Sequence, residues 1–362
     1  MMNNSKVLVA LSGGVDSSAC VVLLQRAGYK VEAAVLDLFP GAQATVEAAQ
    51  ETADRLGVRL HVVREHDAFH RNVVLPFCEE YRAGRTPNPC ILCNPTTKFH
   101  FLMKTADELG IGQVATGHYA RIERAQIGGA DAWLLQRAGF LPRDQSYMLY
   151  RLGQSTLSRL ILPLHSLAKD EVRRIAAEAG LPAANKPDSQ EICFIPDGDY
   201  ASYIENLLGP LPGGDLIAPD GSVCGHHKGI LHYTVGQRKG LGVALGRPVF
   251  VSRIDAAQNR VYLAEAGQEY AGAVELTNCV THPALVLAGH SETGSCRVEV
   301  KIRSMAKPVP ARLTLLESGR ARLEFDEPQR APAPGQSAVC YYGDTVAGGG
   351  LIDRSFASSD DE

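Results

Sequence analysis

The sequence predicts an α/β fold, with a doubly wound parallel sheet followed by a small central domain and a C-terminal β-barrel. Over about the first 120 residues, short apolar runs alternate with helical patterns, as in a parallel sheet covered by helices. From about Leu208 the stretch "GPLPGGDLIAPDGS" is rich in Gly and Pro, which marks a boundary. Short strands separated by turn residues follow, a spacing typical of small β-rich modules.

The alternation begins with "KVLVAL" (Lys6 to Leu11), an apolar run that predicts a strand. The glycine loop "SGGVDSS" comes next, and "ACVVLLQRAGY" then places apolar residues at helical spacing up to Gly28. The elements predicted after this helix are a strand Val31 to Leu38, a helix ending at Gly57, a strand Val58 to Val63, a helix from about Phe69 to Ala83, the helix "KFHFLMKTADELG" and the strand "QVATGH".

After about residue 120 the sequence predicts first a hairpin and a helix and then mainly short strands. A hairpin is predicted with Gly128 and Gly129 at its turn, and an amphipathic helix from Leu167 to Gly180. The strands predicted after it lie in "RPVFVSRID", "RVYLAEAG", "SCRVEVKIRS", "ARLTLLESG", "RARLEFDEP" and "QSAVCYYGD". We therefore expect an α/β domain over residues 1–204, a small central domain over 205–268, a barrel over 269–355 and a disordered tail over 356–362.

Composition indicates an ordinary soluble protein, with 45% hydrophobic and 21% charged residues in a chain of 362. There is no long apolar run, and the first residues lack the pattern of a signal peptide, so we expect a cytoplasmic protein without membrane contact. The nine cysteines, an odd number scattered along the chain, are expected to be mostly reduced. A net charge of -4 neither requires nor excludes a nucleic-acid partner.

The glycine loop has the composition of a phosphate-binding turn. Between a strand and a helix, its backbone N–H groups and the positive end of the helix dipole converge on one place. Gly13 and Gly14 allow a ligand to come close, Ser12 and Ser17 offer hydroxyls, and Asp16 could bind Mg²⁺ or organise the loop. A tight turn without a ligand is the alternative. The pattern differs both from the lysine-containing nucleotide loop and from the dinucleotide loop G-x-G-x-x-G.

Two cysteines, Cys90 and Cys93, lie three positions apart in "RTPNPCILCNPTTKF", a segment that its prolines predict to be a rigid loop. Such a pair can belong to a zinc site, a disulfide, an iron–sulfur centre or a nucleophile with a neighbour. A structural zinc site would need further ligands, such as Cys78 or His100, because the chain has no second Cys-x-x-Cys.

The string "SGGVDS" after a strand resembles the pyrophosphate loop (PP-loop) of ATP pyrophosphatases, which activate a carbonyl oxygen with AMP and release pyrophosphate. The whole chain, from about Lys6 to Ile352, resembles the tRNA-specific 2-thiouridylase family, which replaces the C2 oxygen of the wobble uridine with sulfur. This resemblance implies an adenylating domain of the adenine nucleotide alpha hydrolase-like fold, a small central domain and a barrel that helps to hold tRNA. It is carried by the blocks "RTPNPCILCNPTTKF", "ATGHYAR", "RDQSYMLYRL", "KPDSQEICFIPDGDY", "HYTVGQRKGLG" and "APGQSAVCYYGD".

The resemblance assigns catalytic roles to Cys93 and to Cys193 in "SQEICFIPDG". In similar enzymes the cysteine at Cys193 carries a persulfide, and the one at Cys93 helps to deliver the sulfur. Sulfur delivery needs a polarisable nucleophile and a second thiolate that takes over the S–S bond. Considered alone, a cysteine within "EICFI" would be expected to be a small buried apolar residue. The sulfur itself would come from a sulfur-relay protein or a cysteine desulfurase.

Cys90 departs from the family pattern, because many relatives carry aspartate at this position. The resemblance therefore does not carry the role of that carboxylate over to this position. Cys90, Cys93 and Cys193 together could hold three irons of a 4Fe-4S cluster and leave the fourth open to sulfide. The persulfide route, with Cys90 as an additional thiol, is the alternative. The other cysteines are assigned to cores, namely Cys20, Cys78, Cys279, Cys296 and Cys340, whereas Cys224 is placed in a turn without a role.

Nucleotide and RNA contacts also follow from the resemblance, with ATP, accompanied by Mg²⁺, and tRNA as ligands. The residues at ATP-binding positions are Ala10, Leu11, Ser12, Gly13, Gly14, Val15, Asp16, Ser17, Leu36 and Gly117. Those at tRNA-contacting positions are Asn88, Pro89 and Cys90 around the target base, His118, Arg143, Asp144, Gln145, Arg303, Ser304, which replaces a frequent aromatic, and Gln336. A single-stranded anticodon base can be turned into a pocket at modest cost.

Two other classes of protein share part of this pattern. Another PP-loop enzyme, such as a lysidine synthetase or an amidotransferase synthetase, would share "SGGVDS" but lack "PNPCILCN" and "ICFI". A non-catalytic tRNA-binding or metal-structured protein would keep the barrel and need no glycine loop. Consumption of ATP with an unmodified tRNA distinguishes these hypotheses.

Overall fold

The computed structural model of the protein describes residues 5–185, 191–289 and 294–357. These residues form two compact units. The first comprises residues 5–73, 90–185 and 344–346, and the second residues 74–89, 191–343 and 347–357, apart from 290–293. Of the tail expected to be disordered, Phe356 ends a strand, and residues 358–362 lie outside the described residues.

The strands in the described ranges carry the numbers β1 to β17. They are β1 Lys6–Ala10, β2 Lys30–Asp37, β3 Leu60–Arg64, β4 Gln113–Ala115, β5 Arg121–Ile127, β6 Ala130–Gln136, β7 Leu160–Ile161, β8 Gly214–Ile217, β9 Val223–His227, β10 Val249–Asp255, β11 Arg260–Glu265, β12 Tyr270–Thr281, β13 Ser295–Lys301, β14 Val309–Leu316, β15 Arg320–Arg330, β16 Ser337–Tyr342 and β17 Thr345–Phe356.

The α-helices in the same ranges are α1 Val15–Arg26, α2 Gln43–Leu56, α3 His66–Phe69, α4 Leu75–Arg82, α5 Pro89–Cys93, α6 Phe99–Glu108, α7 Ser146–Leu149, α8 Gln154–Leu157, α9 Lys169–Glu178, α10 Tyr200–Leu208 and α11 Ala284–Leu287. Short π-helices lie at His70–Val74 and Asn94–Lys98, and turns of 3₁₀-helix at Leu141–Arg143, Pro182–Asn185 and Ile230–His232.

The first unit is built on a parallel sheet with the strand order β3-β2-β1-β4-β7. In β1, Val7 and Val9 are buried in one core with residues of α1 and α2, whereas Leu8 is buried in another with residues of α6. Helices thus cover both faces, and the predicted doubly wound sheet is confirmed. The strand order reverses between β1 and β4, and such folds bind ligands beside this point, at the carboxyl ends of the strands.

The second unit contains two β structures. One is a small sheet with the order β10-β11-β8-β9. The other is a barrel with the order β12-β15-β14-β13-β16-β17, which closes because β12 also pairs with β17. Its interior is filled by side chains from several strands, including Leu323, Val300 and Ile352. The expectation of a C-terminal β-barrel is therefore confirmed.

The cysteine segment is helical, whereas its prolines suggest a rigid loop. Pro89 is the first residue of α5, where its missing N–H has no partner to lose. The π-helix Asn94–Lys98 then joins α5 to α6 and contains Pro95. The helix expected from Phe69 to Ala83 is likewise divided into α3, a π-helix and α4. In α4, Pro76 stands in the first turn, where helices tolerate it.

Two further local features depart from expectation. The sequence pattern does not predict α10, although Asp199 accepts a hydrogen bond from the Ser202 N–H as its N-cap, at 3.1 Å. Cys224 lies on β9 rather than in a turn, and its thiol donates to the carbonyl of Leu216 at 3.3 Å. The predicted hairpin is present as β5 and β6, with Gly128 and Gly129 between them.

Candidate functional site

The glycine loop connects β1 to α1 at the edge of the sheet where ligands are expected. Gly13 adopts a left-handed φ of 69°, and a Cβ built there would lie 2.5 Å from the carbonyl carbon of Ala48 in α2. Gly14 is extended and precedes the first residue of α1. Gly13 is thus required by the turn and by the close approach of α2. The resulting turn places the start of α1, whose first N–H groups have no partner within the helix, after the carboxyl end of β1.

Hydroxyl groups hold the loop together. Ser17 Oγ donates to the carbonyl of Gly14 at 3.0 Å and accepts from the Ser12 N–H at 3.2 Å. Ser18 Oγ donates to the same carbonyl at 2.8 Å. The serines therefore fix the shape of the loop from inside, which leaves anion binding chiefly to backbone N–H groups.

Asp16 is held by two residues that the sequence analysis missed. Lys169 Nζ donates to both carboxylate oxygens at 2.8 Å, and the Tyr119 hydroxyl donates to Oδ1 at 2.7 Å. Lys169 is the first residue of α9, where a cation opposes the helix dipole. That unfavourable position is the one sequence signal that Lys169 has a partner outside its helix. Of the two roles considered for Asp16, this geometry favours organisation of the loop.

The turn after β4 meets the glycine loop backbone to backbone. A Cβ built on Gly117 would lie 2.8 Å from the carbonyl carbon of Asp16 and 3.0 Å from the Ser17 nitrogen. Only glycine permits this approach. Leu36 lies near the carboxyl end of β2, on the same edge of the sheet. The structure thus brings the predicted pyrophosphate and adenosine contacts of the first unit to one edge.

The two cysteines of α5 have different surroundings. Cys90 is exposed, whereas Cys93 is buried. Burial raises the pKa of the Cys93 thiol, and the neighbouring Cys90 raises it further, whereas the charge and a backbone hydrogen bond of Lys98 oppose the shift. Asn94 donates to the carbonyl of Met148 at 2.8 Å and so fixes the helix just after Cys93. A cation is therefore built in beside a thiol that is otherwise hard to ionise.

His118 follows Gly117 in the same turn. Its Nδ1 lies 2.7 Å from Thr116 Oγ1, and its ring lies 5.9 Å from that of Phe99. Burial and the charge of Lys98 both hold the pKa of His118 well below its usual value. The imidazole is therefore neutral near pH 7, so it can contact a base by hydrogen bonding but not as a cation.

Among the predicted RNA contacts after β6, Asp144 and Gln145 accept side-chain hydrogen bonds from backbone N–H groups of the first unit. Asp144 accepts hydrogen bonds from the Ala138 and Ser146 N–H groups at 3.0 and 3.1 Å. Gln145 accepts from the Tyr119 N–H at 3.1 Å. Arg143 is half-buried at the end of a 3₁₀ turn. Asp144 and Gln145 thus also shape the segment that presents Arg143.

Cys193, in the second unit, is exposed at a tight turn. The Ile195 N–H donates to the carbonyl of Ile192 at 2.8 Å and closes the turn around Cys193 and Phe194. Phe194 is buried, with its ring 5.5 Å from Phe77 and 5.5 Å from Tyr203. The turn therefore buries the apolar residues beside Cys193 and presents its thiol to solvent.

Two of the remaining predicted contacts of the second unit, Gln336 and Arg303, donate hydrogen bonds to its backbone. Gln336 donates to the carbonyl of Thr86 at 2.7 Å, close in sequence to Asn88 and Pro89. Arg303 is exposed and donates to the carbonyl of Ala331 at 2.8 Å, and Ser304 beside it is half-buried. Gln336 thus holds the segment that leads to the cysteine helix, a role that the sequence alone does not suggest.

The other cysteines agree with their assignment to cores. Cys279 is half-buried against the barrel core. The four that are buried are Cys20, Cys78, Cys296 and Cys340. Among the residues that the structure describes, no three His, Cys, Asp or Glu side chains are grouped as a metal site. In the same residues, no helix is long and apolar enough to span a membrane.

Comparison with known proteins gives matches along nearly the whole chain. Family models match residues 5–197 (tRNA methyl transferase HUP domain), 201–265 (tRNA methyl transferase PRC-barrel domain) and 277–352 (aminomethyltransferase beta-barrel domain). A tRNA-specific 2-thiouridylase MnmA of Acidithiobacillus ferrooxidans is 44% identical over 97% of this chain and 99% of its own length. The protein of the same name in Acetivibrio thermocellus is 40% identical over 97% of this chain and 100% of its own length.

Proposed function

Because this chain belongs to the family of tRNA-specific 2-thiouridylases, we propose that it replaces the C2 oxygen of the wobble uridine of tRNA with sulfur at the expense of ATP. The proposal rests on similarity over almost the full length of both chains and on one geometric observation. That observation is the glycine loop at the reversal point of a parallel sheet, which Gly117 meets backbone to backbone. We propose that the enzyme acts on tRNA in the cytoplasm.

The first step is adenylation. The C2 oxygen of uridine attacks the α-phosphorus of ATP, the bond to pyrophosphate breaks, and the N3 proton of the base is lost. Backbone N–H groups of the loop and the positive end of α1 stabilise the departing pyrophosphate. Leu36 and Gly117 contact the adenosine. The remaining ATP-binding positions are Ala10, Leu11, Ser12, Gly13, Gly14, Val15, Asp16 and Ser17.

The second step is substitution by sulfur. A donor, either a sulfur-relay protein or a cysteine desulfurase, loads a persulfide on Cys193. The thiolate of Cys93 attacks Cys193 Sγ, a Cys93–Cys193 disulfide forms, and hydrosulfide is released. Hydrosulfide adds to C2, and AMP leaves with the former C2 oxygen. A thiol reductant then supplies two electrons and restores both cysteines.

The surroundings of Cys193 and Cys93 support their different roles in sulfur transfer. Exposure of Cys193 suits a residue that must meet a donor protein, and its short turn keeps the thiol outward. Cys93 is buried and its thiol pKa is raised, but the charge of Lys98 opposes that shift and so favours the thiolate that the exchange needs. Thiol ionisation and access both control such exchange reactions.

Mg²⁺ is expected to arrive with the phosphates of ATP. Asp16 is a poor ligand for it, because both of its oxygens lie 2.8 Å from the ammonium of Lys169. The phosphates supply oxygen ligands of the kind that Mg²⁺ prefers.

A 4Fe-4S cluster on Cys90, Cys93 and Cys193 is the alternative way to deliver sulfide. The first unit contributes two thiols, Cys90 and Cys93, and the second unit contributes Cys193. Such a cluster needs three thiolates held together, and among the residues that the structure describes no three His, Cys, Asp or Glu side chains are grouped as a metal site. Iron analysis of the purified protein distinguishes this route from the persulfide route.

The proposed tRNA contacts are assigned residue by residue. Asn88, Pro89 and Cys90 line the target base, and His118 contacts it as a neutral imidazole. The residues assigned to the rest of the anticodon region are Arg143, Asp144, Gln145, Arg303, Ser304 and Gln336.

For the domain organisation, we propose the boundaries that the sequence predicts, namely 1–204, 205–268 and 269–355.

The experiment that tests this function uses the purified protein, ATP, sulfide and an unmodified tRNA with a wobble uridine. We expect AMP and pyrophosphate in equal amounts with 2-thiouridine, and none of them with a tRNA that carries cytidine at that position. Formation of ADP, or of AMP without any tRNA, would contradict the proposal. Consumption of lysine on the cytidine-bearing tRNA would instead favour a lysidine synthetase.

A further inference from the structure

We propose that Lys169 is a positioning residue for ATP binding, because it fixes and neutralises Asp16 at the mouth of the glycine loop. The inference rests on the proposed use of ATP. It concerns a residue 153 positions away from its partner in the chain.

The contact is built into the packing of two helices. Val15, Ala19 and Val22 of α1 share one core with Val172 and other residues of α9. This packing sets the start of α9 beside the start of α1. The Lys169 side chain is 9% exposed and the Asp16 side chain 34% exposed. A buried ammonium is tolerated only with a partner, so its position is fixed by the carboxylate.

Tyr119 completes the arrangement. Its side chain is buried in the same core, and its hydroxyl donates to Asp16 Oδ1. Tyr119 also follows Gly117 closely in sequence, on the turn assigned to the adenosine. Asp16 is thus held from two sides, and both contacts connect the pyrophosphate loop to other parts of the first unit.

The charges of Asp16 and Lys169 determine how this arrangement affects ATP binding. Asp16 lies in the first turn of α1, where a carboxylate favours the helix but repels an incoming triphosphate. The ammonium of Lys169 at 2.8 Å cancels that repulsion and keeps the carboxylate turned toward α9. Loss of Lys169 would leave one unpaired negative charge beside the phosphate site.

The test measures ATP binding to the full-length protein by calorimetry, together with the KM for ATP and the Kd for tRNA. Lys169→Met keeps the apolar stem and should weaken ATP binding by about 10- to 100-fold, as expected for loss of a charge-assisted contact. The Kd for tRNA should not change. Lys169→Arg should recover most of the loss. Arg174→Met, an exposed position on the same helix, is the matched control and should behave as wild type.

A double-mutant comparison distinguishes a role of Lys169 in positioning Asp16 from a role in protein stability alone. If Lys169 acts through the charge of Asp16, Lys169→Met should weaken ATP binding by less than about threefold in a protein that already carries Asp16→Asn. The same large loss in both backgrounds would overturn the inference. An unchanged affinity for ATP in Lys169→Met, with only a lower Tm, would overturn it too. Absence of ATP binding by the wild type would reject the proposed function and the inference together.

Discussion

Cys90 and Cys93 stand one helical turn apart on α5, yet Cys90 is exposed and Cys93 is only 8% exposed. The helix therefore leaves Cys90 exposed and buries Cys93. This asymmetry makes Cys90 accessible to a base or a reagent, whereas Cys93 depends on its surroundings for reactivity.

We predict that iodoacetamide at about pH 8 alkylates Cys90 and Cys193 well before Cys93, since access and ionisation both limit alkylation. Mass spectrometry of proteolytic peptides over time measures the three rates. Cys20 serves as an internal reference for a protected thiol, because it is fully buried and its burial raises its pKa. If Cys93 were labelled as fast as Cys193, this result would contradict the burial of Cys93 seen in the structure.

Lys98→Met should raise the pKa of Cys93 further, because the charge of Lys98 opposes the upward shift caused by burial. Below its pKa a thiol is mostly protonated, so the alkylation rate of Cys93 at a fixed pH should fall, and the profile should move to higher pH. The measurement is the rate against pH in a Cys90→Ser background. Lys104→Met, an exposed change on α6, is the control. Identical profiles for both variants would exclude an electrostatic role for Lys98.

Cys93→Ala and Cys193→Ala should each abolish thiolation that depends on a sulfur-transfer partner, because each removes one sulfur of the exchange. Binding of ATP and tRNA should stay near wild type, since neither thiol belongs to the glycine loop. Yield of 2-thiouridine and the two binding constants measure this. Cys224→Ala is the control, since this thiol on β9 donates to the backbone carbonyl of Leu216 on β8. A full yield from either catalytic variant would refute the assignment.

Iron analysis of protein prepared without oxygen decides between the two sulfur routes. The persulfide route predicts no iron in the active wild type and a largely active Cys90→Ala. A cluster would give about four irons and four sulfides per chain, lost from Cys90→Ala. Mössbauer spectra of both proteins identify any iron that is found. An active wild type with stoichiometric cluster iron would contradict the persulfide route.

Local patterns in the sequence predict much of the fold. The strand, glycine loop and helix from β1 to α1 could be predicted because apolar spacing and glycines act over a few residues. The amphipathic pattern likewise predicts α9, observed at Lys169–Glu178. By contrast, the pairing of Lys169 with Asp16 depends on how α9 packs against α1, and no local pattern contains it.

The two cysteine segments show why the site was harder to predict. Prolines suggested a loop around Cys90, but Pro89 is compatible with the first position of a helix, so composition could not decide. The apolar string "EICFI" suggests a buried Cys193, yet a single tight turn buries Phe194 and Ile195 and leaves the thiol outside. Turn geometry of this kind depends on tertiary partners such as Phe77.

The most direct test of the account is to follow the C2 oxygen of the wobble uridine. A tRNA labelled at that oxygen with the heavy isotope would be thiolated with ATP and a sulfur donor, and the released AMP analysed by mass spectrometry. Adenylation at C2 predicts one labelled oxygen in the phosphate of AMP for each 2-thiouridine formed. Unlabelled AMP with the heavy oxygen released into water would contradict the central claim that ATP activates this oxygen.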